Sequence, residues 1–130
     1  MTTKKTLEKF GRFHDWYIDM IATGKEGNGD TPNTLTLGLY DQNHRALLTF
    51  QGVTRASIVD GGMLNIVNAI EVLQPNDDAY PTAMAMLKRS AYFGKRRAEH
   101  VVYIFSTVGM ETAIEFDKLN IESTRVSNCT

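Results

Sequence analysis

The alternation of apolar and polar positions is densest from Val101 to Phe116. Val101, Tyr103, Phe105 and Thr107 alternate with Val102, Ile104, Ser106 and Val108, β-branched and aromatic residues at period two. Both parities are largely apolar, which predicts a central strand covered on both faces. Gly109 and Met110 predict a two-residue type II′ turn, whose first position needs the positive φ that glycine tolerates. Thr112, Ile114 and Phe116 then alternate with Ala113, Glu115 and Asp117, predicting a second strand with one apolar face and one acidic, solvated face. This hairpin is the expected organiser of the chain.

Upstream the pattern is more broken. Thr6 to Phe10 reads as a short helical turn ended by Gly11. Phe13 to Ile21 fits both periods: Leu7, Phe10, His14, Tyr17, Ile18 and Ile21 fall at helical spacing, while Trp16, Ile18, Met20 and Ala22 alternate. Gly11 inside one continuous helix would cost about 1 kcal/mol against alanine, so a strand is the preferred reading. Three glycines and one proline between Gly24 and Asn33 mark a β–β loop. Leu35, Leu37 and Leu39, then Ala46, Leu48 and Phe50, predict a second hairpin turning at Asp41–His44. A further strand is expected over Leu64–Leu73, its apolar face interrupted by Asn68, which fits an edge, a bulge or a buried polar partner.

Pro81 suits the first position of a helix. Met84, Leu87 and Ala91 share one face, with Ala83, Met86 and Ser90 beside it, and Gly94 is a natural stop. Leu119 and Ile121 fall out of phase with Ile114 and Phe116, predicting a bulge or kink near Lys118. Residues 1–5 and 123–130 are expected to fray. The expected architecture is therefore a single α+β domain over 1–130. It is mainly an antiparallel sheet of about six hairpin-connected strands, with one main helix near 81–94 on one face.

Bulk properties narrow the function classes. Hydrophobic content of 42% and charged content of 22% indicate a folded globular chain. A net charge of −1 argues against coating nucleic acid or an anionic membrane with the whole surface. The single cysteine, Cys129, cannot form an internal disulfide, and no apolar run reaches the ~18 residues that span a bilayer. Residues 1–5 lack the apolar core of a signal peptide. A cytoplasmic protein with no membrane contact is the expectation.

Catalytic signatures are few. His14, His44 and His100 are isolated, and no spacing of His or Cys predicts a metal site; His14–Asp15 alone offers a start of one. Glu115 and Asp117 share a strand face and could form an acid–base pair, although exposed strands carry such acids routinely. No nucleophile elbow occurs. The reading leans away from an enzyme, with no catalytic residue, metal or cofactor assigned.

The sharpest feature is basic. Five of the ten residues from Lys88 to Arg97 are cationic: Lys88, Arg89, Lys95, Arg96 and Arg97, with Tyr92 and Phe93 among them. Cations complement the C-terminal end of a helix dipole, which explains the cluster without any ligand. The same residues, with Tyr92, can engage an acidic protein partner or grip single-stranded nucleic acid by phosphate contacts and base stacking. Met86 or Phe93, facing away from the main helical stripe, would suit a homodimer interface.

Phe13-His14-Asp15, Leu48-Thr49-Phe50-Gln51-Gly52-Val53 and Phe105-Ser106-Thr107-Val108-Gly109 together resemble segments of small uncharacterised bacterial α+β families, some of which resemble immunity proteins of polymorphic toxin systems. The resemblance covers roughly Phe13 to Ile121, and the helix at Pro81–Gly94 departs from its pattern. It implies a single-domain protein that works by binding another macromolecule, without turnover. The leading expectation is a non-enzymatic binding protein, immunity-like, that meets an acidic partner through the 88–97 surface. The alternatives are a small-ligand binder or enzyme with a helix–sheet pocket rimmed by His14 and Asp15, and a single-stranded nucleic-acid binder.

Overall fold

A computed structural model describes residues 2–90 and 96–126. A helix α1 (Thr3–Glu8) and a 3-10 turn (Gly11–Phe13) precede five strands: β1 (Tyr17–Gly24), β2 (Thr34–Tyr40), β3 (His44–Gln51), β4 (Arg55–Val59) and β5 (Ile66–Leu73). Helix α2 (Tyr80–Lys88) follows, then β6 (His100–Val108), β7 (Glu111–Phe116) and β8 (Lys118–Arg125). The strands form one antiparallel sheet in the order β4-β7-β6-β5-β1-β2-β3-β8. The α+β class holds, with eight strands instead of about six. The two extra strands are β4, which has no long alternating run, and β8, where fraying was expected from Ser123. Ser123, Thr124 and Arg125 instead pair with Ala46, Arg45 and His44.

Two of the ladders are one ribbon. β3 pairs with β8 up to Gln51↔Lys118, and β4 pairs with β7 from Arg55↔Glu115 onward. Between them residues 52–54 stand opposite 116–117, so one strand carries an extra residue, the signature of a β-bulge. At this corner the ribbon leaves the β1-β2-β3-β8 half of the sheet and enters the β4-β7-β6-β5 half. The kink expected near Lys118 is this corner. Elsewhere, among the described residues, the halves meet in register only at Tyr17↔Ile66, supported by the Asp15, Ile18 and Val67 amides, which donate to the Val67, Asn65 and Trp16 carbonyls.

The leucines of β2, Leu48 of β3, Val67 and Ile70 of β5, Val102 and Ile104 of β6 and Ile114 of β7 fill one core between the halves. Phe50 and Phe116 close it edge-to-face at the ribbon corner, ring centres 4.9 Å apart. A second, smaller core lies on the other face of β6 and β7, where α2 places Ala83, Met86 and Leu87 over Leu73, Val101, Tyr103 and Ala113. β6 is thus covered on both sides, as its doubly apolar pattern predicts. Two expectations are corrected here. Met86, one of the two residues suggested for a dimer face, is buried in this core, and the other, Phe93, lies outside the described residues. The second face of β7 is roofed by α2, so Glu115 is only 4% exposed and not solvated. The main helix ends at Lys88 with Arg89 as its cap; Tyr92, Phe93, Gly94 and Lys95 lie outside the described residues.

The 101–116 hairpin exists, but its turn is not the tight one expected. The β6–β7 ladder ends at Ile104↔Thr112, while β6 runs on along β5 on its other edge up to Val108↔Ile66. Gly109 still has a positive φ of 88°. Its other reason to be glycine is a close approach: a Cβ there would lie 2.3 Å from Asn65 Oδ1 and 2.5 Å from the Leu64 carbonyl oxygen. Asn68 marks a bulge, since the β5–β6 register shifts between Val67 and Ala69.

The N-terminal segment seals the open side of β5. Gly11, Arg12, Phe13 and Asp15 all have positive φ, from 55° to 65°, so the chain makes a left-handed turn where a strand from Phe13 was expected. For non-glycine residues that conformation costs about 1–2 kcal/mol each. The compensation is burial: Phe13 is fully buried, stacked on Phe10 at 5.0 Å and edge-on to Trp16 at 4.8 Å. Burying such a ring stabilises by roughly 1.5–3 kcal/mol, and each aromatic pair adds about 0.5–1.5 kcal/mol.

Candidate functional site

The basic segment divides into residues with different work. Arg96 serves the ribbon corner. Its Nη2 donates to the Gly52 carbonyl at 3.1 Å and meets Asp117 Oδ2 at 2.9 Å. The Glu99 amide donates to the other Asp117 oxygen at 3.1 Å. Burial works to raise the Asp117 pKa, but the Arg96 and Glu99 hydrogen bonds and the nearby positive charge outweigh it and hold the carboxyl below its ordinary range.

Beside the corner, Arg55 and Glu115 form a buried bidentate pair. Arg55 Nη2 donates to Glu115 Oε2 at 2.7 Å and Nε to Oε1 at 3.2 Å. The Thr54 hydroxyl donates to Oε1 at 2.5 Å and accepts the Ala98 amide at 3.1 Å. Burial alone would raise the Glu115 pKa. The Arg55 and Thr54 bonds and the charges of Arg55 and Arg97 reverse that and lower it. The carboxylate is therefore held ionised and fully engaged, which removes it as a general acid. Asp117 is likewise committed to Arg96, so the two acids do not act as a pair.

This ion pair is the floor of a groove of about 540 Å³ between α2 and the segment entering β6. Lys88 and Tyr80 stand on the helix wall and Arg97 and Glu99 on the other, with Met84 and Val101 supplying apolar surface. Lys88 and Arg89 are exposed and make no ion pair among the described residues. Arg97 Nη1 donates to the Arg96 carbonyl at 3.1 Å. Of the six residues expected to bind a partner, Lys88 and Arg97 line the groove, Arg89 caps the helix beside it, and Arg96 faces the corner. Tyr92 and Lys95 lie outside the described residues. Arg55, Thr54, Tyr80 and Met84 were not anticipated. Arg55 sits in a short strand with no alternating signal, and only the pairing β4–β7 brings it to Glu115.

His14 and Asp15 lie elsewhere, beside α1 and β5. His14 Nδ1 is 2.8 Å from the Asn68 carbonyl and Nε2 is 3.4 Å from Asp15 Oδ2, both side chains mostly exposed. His14 lines a shallow hollow with Glu8, Arg12 and Asn68. Next to it is a cavity of about 480 Å³ with Leu7, Ile70, Leu73 and Phe105 beneath and the Arg12–Glu71 ion pair, 2.7 Å, at its edge. Among the described residues no three His, Cys, Asp or Glu side chains converge as a metal site, and no helix is long and apolar enough to cross a membrane. Compared with known proteins, the chain matches no family model, no curated protein and no solved structure.

Proposed function

We propose that the protein is a binding protein without turnover, whose groove beside α2 receives an acidic segment of a protein partner. The observation that carries this reading is the placement of Lys88 and Arg97 on opposite walls of one groove, over a floor that already carries the neutralised Arg55–Glu115 pair. A carboxylate entering the groove meets cations from both sides. Tyr80, Met84 and Val101 give the rest of a peptide apolar contact. Rim charges of this kind raise association rate and select for partner sign more than they add raw affinity.

The test is capture of partners from lysate at low and high salt by the wild type, by Lys88→Glu/Arg89→Glu and by the distant control Lys4→Glu/Lys5→Glu. A protein retained by the wild type and the control but lost from the rim variant is the expected result. Retention unaffected by Lys88 and Arg89 reversal would reject the groove as the contact. Nucleic acid released steeply by salt would point to the phosphate-binding alternative.

The cavity beneath α1 supports a second reading, a small-ligand site. Arg12, which lines it, holds a left-handed backbone, and strain of that kind collects at functional positions. Saturation of a chemical-shift change at Arg12, His14 and Glu71 by one compound from a screened library is its test; a screen without such a hit removes it.

A further inference from the structure

We infer that β8 is a self-complementary edge through which two copies of this chain pair into one continuous sheet. β8 lies at the end of the sheet order, and among the described residues β3 is its sole strand neighbour. An eight-residue edge strand exposes a row of unpaired backbone donors and acceptors that templates another strand. It contains no proline, and all eight of its residues pair with β3 without a register shift, so neither of those common protections against pairing is present. The opposite edge, β4, has five residues.

The occupant follows from the order of side chains along β8. Leu119 and Ile121 lie on the core face, opposite Phe50 and Leu48, yet remain half-buried, with no second strand beside them among the described residues. Lys118, Asn120 and Glu122 project from the other face and are exposed. A twofold axis perpendicular to the sheet keeps like faces together, so allowed antiparallel registers are centred on a residue. Centred on Asn120, the pairing sets Lys118 against Glu122 of the second copy twice, and Leu119 against Ile121 twice. Opposite charges meet on one face, and each half-buried apolar residue covers the other. Centred on Glu122 it would oppose two carboxylates. Centred on Ile121 it would set Leu119 against Ser123 and Glu122 against Asn120. Only the Asn120 register among these matches both charge and hydrophobicity directly across the strands.

The test is sedimentation equilibrium from micromolar to submillimolar protein, on wild type, Lys118→Glu and Glu122→Lys. Either single change turns two attractive cross-strand pairs into like-charge pairs, and the dimer is expected to weaken at least tenfold. Mixing the two variants restores opposite charges at both pairs, so a heterodimer of near wild-type affinity should form. Both positions are exposed, and an unchanged thermal midpoint confirms folded chains. A wild type that stays monomeric at every concentration, a dimer indifferent to both reversals, or a mixture that fails to reassociate would each overturn the inference.

Discussion

Removing the Glu115 carboxylate separates the groove's floor from its rim. Glu115 and Arg55 expose only 5% and 6% of their side chains, so neither charge is compensated by bulk water. Glu115→Ala deletes two charge-assisted bonds from Arg55 and one from Thr54, each of the former worth about 1.5–3 kcal/mol. Removing one member of a buried pair costs about 3–5 kcal/mol in all. With a urea m-value of about 1.5–2 kcal/mol/M for a chain of this size, the unfolding midpoint should fall by roughly 2 M. Arg55→Met/Glu115→Leu, which exchanges the pair for apolar groups, should return to within about 1 kcal/mol of wild type. A double-mutant cycle on Arg55 and Glu115 should then show coupling above about 2 kcal/mol. Urea titration at neutral pH reads all of these. A loss below about 1 kcal/mol for Glu115→Ala would mean that water reaches the pair and that the floor is part of the open binding surface.

Further outcomes follow from single residues. Thr112 is fully buried with no partner for its hydroxyl among the described residues; Thr112→Val keeps the shape and should raise stability by about 1 kcal/mol in the same titration. Gly109→Ala should cost more than about 2 kcal/mol, since it combines positive φ with a Cβ placed against Asn65 and the Leu64 carbonyl. The Tyr103 pKa is raised to about 12 by burial and then by its hydrogen bond to Glu111 and that residue's charge. The unfolded chain loses this proton first, so stability should fall as pH rises from about 10 to 12, and Tyr103→Phe should remove that part of the loss. Glu115 and Asp117 have lowered pKa values, so their contributions are present above the ordinary carboxylate range and vanish as pH falls through the folded values. Glu115→Gln should accordingly flatten the acid limb of the melting profile.

Much of the fold is legible where alternation is strong. The leucines of β2, the Ala46-Leu48-Phe50 face of β3 and the doubly apolar β6 are all strands, because each apolar position finds a partner on the same face across the ladder. The failures have physical causes. Phe13 packs between Phe10 and Trp16 and enters the core beside β5, and that burial overrides the strand preference of its segment. β4 is only five residues long and the end of β8 is polar; both lie at sheet edges, where a long run of period-two hydrophobicity is not required. Glu115 looks solvated in sequence since its partner, Arg55, lies 60 residues away. The Gly109 turn obeys the local glycine rule, but Asn65 and β5 set its actual course.

The candidate site shows the same division between local and non-local information. Its cations are visible as a cluster, yet nothing local distinguishes Arg96 from Lys88. The ribbon corner makes the distinction. Arg96 is drawn to Asp117 and the Gly52 carbonyl because the bulge at 52–54 brings a carbonyl and a carboxylate together on one side of it. Lys88 is the last residue of α2, directly after the buried Met86 and Leu87, and is exposed with no carboxylate paired to it among the described residues. Within the basic segment, Arg96 is thus engaged at the corner, while Lys88 and Arg89 are exposed at the helix end, where the proposed partner would meet them. That is why reversing Lys88 and Arg89 reports on binding, whereas reversing Arg96 would first report on the ribbon.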